Sequence, residues 1–296
     1  MELDYLKKDI DITNLSNFKT KAKAKYYYEI NNIEDVYKLH DISTFCKENT
    51  IPFLFIWWWT NVLFAFDIYE WVIIKNNLNW WDYDKSSQIL HTFTNELISD
   101  IAKSLENDYN QSLWHRFIWL PGSIWWAVYG NAWCFWLETE NNFLEASVYD
   151  IETWQIIQLS KINMLFDYRS SFIKNSNNRY FIISVKFDLS KKIEKYHSDV
   201  DNIDFRENKQ PKWNTCWSFF KNPDKNNSAW SLIEQVWLKW YKLWWAFFSP
   251  LHANFLMHDW NWTYKDLLDL IDLAMKKVQD EKSITLSPEV RIIFND

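Results

Sequence analysis

Two glycines in a chain of 296 residues leave almost no place where the backbone can turn through φ > 0 without carrying a side chain. Average usage, about 7%, would supply roughly 20. The same chain carries 22 tryptophans, and they stand where glycine is expected. Residues 51–63 read IPFLFIWWWTNVL: an apolar, β-branched run, then Trp57, Trp58 and Trp59 ahead of Thr60 and Asn61. Three glycines there would make a loop after a strand that brings backbone N–H groups up to a pyrophosphate. Trp154 follows Glu152-Thr153 between two β-rich runs, as a hairpin glycine would. Trp260 and Trp262 bracket Asn261 in a turn cluster after His258-Asp259. Many of these positions therefore read as glycine in the living protein. A simple mechanism is a UGA codon that the source organism reads as glycine, rendered here as tryptophan. The alternative is a tryptophan-rich carbohydrate binder. Stacking platforms need isolated, exposed indoles, and the doublets Trp80-Trp81, Trp125-Trp126 and Trp244-Trp245 do not supply them. Trp114, in SLWHRF, is a position where a real tryptophan fits.

The length suits one large domain or two to three smaller ones. A net charge of −7 argues against a nucleic-acid binder, which presents a basic face. Cys46, Cys134 and Cys216 are odd in number and widely spaced, so neither a zinc site nor a disulfide framework is expected, and a reducing cytoplasm is the simplest compartment. The start, MELDYLKKDIDITN, has no apolar signal core. The apolar run Ile51–Phe66 is shorter than the ~20 residues of a membrane span and is interrupted by Thr60 and Asn61.

Residues 1–20 read as a helical or loop lead-in, 21–30 as a strand, 32–49 as an amphipathic helix, 51–63 as strand and loop, and 70–77 as a strand. This β-α-β-loop-β order predicts an α/β unit. Helix is predicted over 86–106, a hairpin over 143–160 and a long strand over 179–190. Between them LPGSIWWAVYGNAWCFW, once its tryptophans after Leu120 are read as glycine, is a second backbone-rich loop. The charged stretch 191–212 reads as a domain junction. Residues 231–243 and 265–282 follow with apolar helical spacing, and 287–296 is extended.

With glycine read for tryptophan, IPFLFIWWWTNVL, LPGSIWWAVYGNAWCFW, FDYRSSFIK, NTCWSFFKNP, SPLHANFLMHDWNW and PEVRII resemble, in order and spacing, the UDP-N-acetylenolpyruvoylglucosamine reductase (MurB) family. The resemblance covers nearly the whole chain. It implies a mixed α+β and α/β fold: a two-subdomain FAD-binding region of the vanillyl-alcohol-oxidase type over 1–192 (subdomains about 1–75 and 76–192), then a C-terminal α/β substrate domain over 193–296. Thr60 stands where the family more often has serine. The interval from Arg169 to Ser218 matches the family's shorter variety, which lacks a tyrosine-bearing loop over the substrate.

The implied reaction is NADPH-dependent, FAD-mediated reduction of an enolpyruvyl ether on a UDP-sugar to the lactyl ether, in peptidoglycan synthesis. Charge developing on the substrate carboxylate needs preorganised donors, and the adjacent carbon needs a proton. Arg169 matches the family's enolate-stabilising arginine, where a planar, permanently charged fork suits a carboxylate; a lone arginine serves as readily in an ion pair. Glu289 matches a second acid, and Ser218 the proton donor. Cys216 is taken as structural. The resemblance implies FAD contacts at Trp57, Trp58, Trp59, Thr60, Asn61, Pro121, Gly122, Ser123, Trp125 and Trp126, with Asn131 and Trp133 near the isoalloxazine. Lys221 and Asn222, with Arg206 and Lys209, are expected at the substrate phosphates. Tyr168 and Phe135 either line the site or pack in the core. His252 and Asn254 lie in a family motif beside the substrate, with His252 not favoured as a base, and Arg291 pairs with Glu289 or reaches the substrate. No metal, nucleic acid or membrane span is expected, and the chain reads as a monomer. Two alternatives stand beside this: another FAD-dependent oxidoreductase of the same domain type, with His115 as a covalent-flavin histidine, or an aromatic-rich binding module if the tryptophans are real.

Overall fold

The computed structural model describes residues 3–57, 61–191, 211, 215–259 and 263–295. Trp58, Trp59, Thr60, Arg206, Lys209, Trp260 and Trp262, and most of the charged stretch 191–212, lie outside the described residues. The chain divides into two compact units. Unit 1 is Met1–Lys8, Tyr26–Trp59 and Trp71–Ile203; unit 2 is Asp9–Lys25, Thr60–Glu70 and Asp204–Asp296. Two N-terminal segments thus belong with the C-terminal residues, a division that does not follow the contiguous 192/193 boundary expected above. The reason is long-range pairing that no local pattern encodes. Strand Arg291–Ile293 lies parallel to Val62–Phe64, and the Ser16 hydroxyl donates to the Val62 carbonyl at 2.6 Å.

Unit 1 is built on a five-stranded antiparallel sheet in the order Gln155–Ser160, Phe143–Asp150, Tyr180–Asp188, Ile89–Phe93, Trp81–Asp84. The expected hairpin is present, with Asp150 opposite Gln155 and Trp154 at φ +62 in its turn. Tyr180–Asp188 is the central strand, so it is buried on both faces over most of its length. Asp150 is buried at the edge of the turn, and Arg179 grips it bidentately at 2.9 and 2.6 Å. That hydrogen-bonded guanidinium holds the Asp150 carboxyl below its ordinary range. The helix expected over 86–106 is a strand, Ile89–Phe93, followed by a helix, Ile98–Tyr109. Ile89–Phe93 has a partner on each side, and sheet pairing overrides its helical spacing. Helix Ile98–Tyr109 buries Ile98, Ile101, Ala102 and Leu105, one face at helical period. Residues Phe53–Ile56 run parallel to Val72–Lys75, as the predicted α/β unit requires. The Asn32 side chain caps the expected helix by accepting from Asp35 N at 3.0 Å. The helical or loop lead-in contains a strand, Lys7–Asp11, and a single 3-10 turn, Thr13–Leu15.

Unit 2 packs helices Ala229–Gln235 and Tyr264–Lys282 with a three-stranded antiparallel sheet, Lys242–Leu243, Ala246–Phe248 and Leu256–His258. Tyr264–Lys282 buries Leu267, Leu270, Ile271, Ala274 and Val278 on one stripe, and Thr263 with Asp266 forms its capping box. Each unit has its own apolar core. Among the described residues no helix is long and apolar enough to cross a membrane, and no group of His, Cys, Asp and Glu is arranged to hold a metal.

All three cysteines are free and buried. Desolvation pushes the Cys46 thiol up to about 12 and raises that of Cys216. In the folded protein a thiol reagent near neutral pH should therefore label neither at an appreciable rate, and denaturant should release both; prompt labelling before unfolding would refute this. Trp114 is fully buried, 4.8 Å from the Phe187 ring and edge-on to it, with its indole N–H donating to Asn142 Oδ1 at 3.3 Å. Trp114→Ala should cost about 3–5 kcal/mol in denaturant unfolding, whereas Ile162→Ala, at an exposed site, should stay within about 0.5 kcal/mol.

Candidate functional site

The candidate residues fall into one set in each unit. In unit 1 the first loop opens where strand Phe53–Ile56 ends on fully buried Trp57. The second begins at Pro121, passes Gly122 at φ +105 and enters helix Ile124–Tyr129 with Ser123 at its N-cap. The Ser123 hydroxyl is buried and makes no cap hydrogen bond. The orphaned Ser123 hydroxyl suits a polar ligand, and the indoles of the same unit do not. Asn61, which belongs to unit 2, holds a buried side-chain oxygen with no partner among the described residues. Trp57 stacks on Trp125 with ring centroids 3.5 Å apart, and Trp125 stacks in turn on Tyr129 at 4.2 Å. The buried N–H groups of Trp57, Trp125 and Trp126 find no acceptor among the described residues. The chain as written therefore presents packed rings where a flavin cradle needs open backbone, and it does not fit FAD.

The Arg169 turn lies in the same unit. Arg169 is half-buried at φ +54, and Asp167 and Ser170 exchange backbone hydrogen bonds across it at 3.2 and 3.0 Å. Its carbonyl accepts from Lys174 Nζ at 2.7 Å. Buried Asn131 donates to the Asp167 carbonyl and to Glu138 Oε2, both at 3.3 Å, and its own carbonyl accepts from Glu140 N at 3.1 Å. Its amide thus helps to shape the Arg169 turn. Tyr168 is exposed beside Arg169. Phe135 packs partly against the core, and its carbonyl accepts from the buried Arg116 guanidinium. Trp133 is exposed on a two-residue strand, edge-on to Trp136. Lys174 and Arg116 were not singled out from sequence. Lys174 closes the motif FDYRSSFIK and was legible there; Arg116 carried no signal.

In unit 2 three distant segments are knitted by backbone. Ser218 bridges Phe255, and Phe220 bridges Pro288. Phe219 N donates to Asn254 O at 2.8 Å, and Glu289 N donates to Phe219 O at 2.7 Å. Asn254 is buried, and its carboxamide completes two hydrogen bonds with one residue: Oδ1 accepts from Phe220 N at 2.9 Å and Nδ2 donates to Phe220 O at 2.8 Å. It therefore acts as a strand partner within this junction. Ser218 and Glu289 are both half-buried at this junction. Lys221 N donates to Ser287 O at 2.9 Å in the same network. Asn222 is exposed, its side-chain oxygen accepting from Ala229 N at 3.0 Å. Arg291 N donates to Asn61 O at 3.1 Å. His252 stacks near Phe255, accepts from Asn254 N at 3.3 Å, and is held at about 4 by burial, so it is neutral at ordinary pH. The other oxidase-type reading relied on His115, whose Nδ1 lies 2.6 Å from Glu106 in a side-chain pair of unit 1.

Residues 209–293 match the domain family described as UDP-N-acetylenolpyruvoylglucosamine reductase, C-terminal domain. A UDP-N-acetylenolpyruvoylglucosamine reductase of Clostridium botulinum (strain Alaska E43 / Type E3) is 34% identical over 260 residues, covering 85% of this chain and 82% of that one. The reductase of Protochlamydia amoebophila is 27% identical over 96% of this chain and 93% of its own. The crystal structure of MurB from Thermus caldophilus superposes with a TM-score of 0.75 over 97% of this chain and 99% of its own, at 17% identity, which establishes the fold. Ordered motifs, fold and full-length identity agree: the chain belongs to the UDP-N-acetylenolpyruvoylglucosamine reductase family.

Proposed function

We propose that the translated protein reduces the enolpyruvyl ether of UDP-N-acetylglucosamine to UDP-N-acetylmuramate, with FAD as its flavin and NADPH as reductant. The observation that carries this reading is the unit 2 junction. The two positions that match the family's proton donor and second acid, Ser218 and Glu289, come from distant segments and meet across the 2.7 Å bond from Glu289 N to Phe219 O. The roles below are those of the chain's own side chains. Arg169 neutralises charge developing on the substrate carboxylate, and its left-handed turn is fixed by Lys174 and Asn131. Ser218 delivers a proton to the carbon α to that carboxylate, and Glu289 shares the developing charge. Lys221 and Asn222, with Arg206, Lys209 and Arg291, attract the phosphates. Three free, buried thiols suit a reducing cytoplasm. We place the enzyme there as a monomer in peptidoglycan synthesis, and hence in cell shape and division. The binding-module reading gains little support, because exposed Trp119, Trp136, Trp154, Trp237, Trp240 and Trp244 sit at left-handed turns, and only isolated exposed indoles such as Trp133 and Trp230 stand on a strand or a helix.

In the glycine-bearing protein, Ser218→Ala should leave NADPH-driven bleaching of the flavin intact and slow sugar-nucleotide reduction by about 10²–10⁴-fold. Stopped-flow of the two half-reactions checks this, and equal loss in both would refute the proton-donor role. Arg169→Ala should slow the second half-reaction by about 10²–10³-fold. His252 supplies a stability test. Its folded value is about 4 against an ordinary 6.5, so between those values the unfolded chain binds a proton that the native one does not. Unfolding free energy should then fall as pH drops through that window, and His252→Asn should flatten the slope in urea titrations. An unchanged slope would remove His252 as its source.

A further inference from the structure

The tryptophans divide by backbone geometry and by the fate of the indole N–H. Seven of those described have φ between +53 and +73: Trp119, Trp136, Trp154, Trp217, Trp237, Trp240 and Trp244. A bulky L-residue is an outlier in this region, whereas glycine enters it freely. These residues close turns. Trp154 turns the Asp150–Gln155 hairpin, Trp136 separates strands Trp133–Cys134 and Leu137–Glu138, and Trp237 follows helix Ala229–Gln235 by two residues, where a glycine cap is customary. Two of these rings gain little by being there, since Trp237 is 84% exposed and Trp240 75%.

Trp57, Trp125 and Trp126 fail by the second criterion. Their rings are wedged together at the two candidate loops, with three buried N–H groups lacking an acceptor among the described residues. Trp114 passes both. Its φ is −95, its ring is fully buried against Phe117 and Phe187, and its N–H has Asn142 as acceptor.

We infer that the living protein carries glycine at Trp57, Trp119, Trp125, Trp126, Trp136, Trp154, Trp217, Trp237, Trp240 and Trp244, and an authentic tryptophan at Trp114. One codon is then read as glycine at the first ten positions, and a different codon specifies the eleventh. Removing the rings at Trp57, Trp125 and Trp126 uncovers the backbone beside the orphaned Ser123 hydroxyl.

Two measurements test this, and they fail separately. Peptide mass spectrometry of the protein isolated from its own cells reads residue identity whatever reaction it catalyses. A tryptic peptide ending at Arg116 carries Trp114, and the next, 117–161, carries five of the ten positions. The expected result is tryptophan in the first and glycine at 119, 125, 126, 136 and 154 in the second. Tryptophan at these five, or glycine at 114, overturns the assignment. The second measurement rests on the flavin reading. The chain as written and the chain with all ten positions changed to glycine are each titrated against FAD, following quenching of flavin fluorescence. Saturable binding by the glycine chain and at least a hundredfold weaker binding by the other is expected. Equal binding by both, or by neither, overturns the claim that these rings close the cradle, and leaves the mass-spectrometric result to stand alone.

Discussion

A chain that folds by tight turns must bring its backbone into the left-handed region at many points, and only glycine does so without steric cost. Among the described residues nineteen other than glycine take such conformations, including Thr50, Asn110 and Ser283 at the ends of helices. Asparagine tolerates the geometry through its short polar side chain; tryptophan has no such compensation. The two units nevertheless close their sheets and caps in a recognisable fold, because topology depends on strand pairing and on the two apolar cores. What suffers is local: rings projecting from turns, and rings wedged where a loop should be bare.

The candidate segments are held by main chain and by amide side chains. Asn254 behaves as an extra peptide group against Phe220, while Asn131 ties Asp167, Glu138 and Glu140 together. A carboxamide offers one donor and one acceptor face in fixed geometry, so it specifies register without burying charge. Backbone hydrogen bonds thus help to set the chain around Arg169, Ser218 and Glu289.

Much of this was legible in the sequence. Alternation marked the hairpin of 143–160, and the apolar stripe of Tyr264–Lys282 marked its helix, because both report local periodicity. Motif order carried the fold. Ile89–Phe93 was misread as helix, since its pairing on both sides is non-local. The assignment of Asp9–Lys25 and Thr60–Glu70 to unit 2 was hidden for the same reason. Asn131 and Asn254 were seen as site residues; the bonds they make, mostly to backbone atoms, were not legible, because backbone leaves no mark in composition. Arg116 was invisible: a buried guanidinium meeting a carbonyl has no spacing rule.

The parallel pairing of Arg291–Ile293 with Val62–Phe64 has a consequence for how the chain is made. Unit 2 joins Asp9–Lys25 and Thr60–Glu70 to Asp204–Asp296, so pairing 62–64 with 291–293 closes a long loop of intervening chain. Loop closure over so many residues is entropically costly and slow. Val62–Phe64 finds this partner only after Arg291–Ile293 has been made, and until then an unpaired strand is a template for wrong partners. The pairing is therefore a late, non-local event in folding.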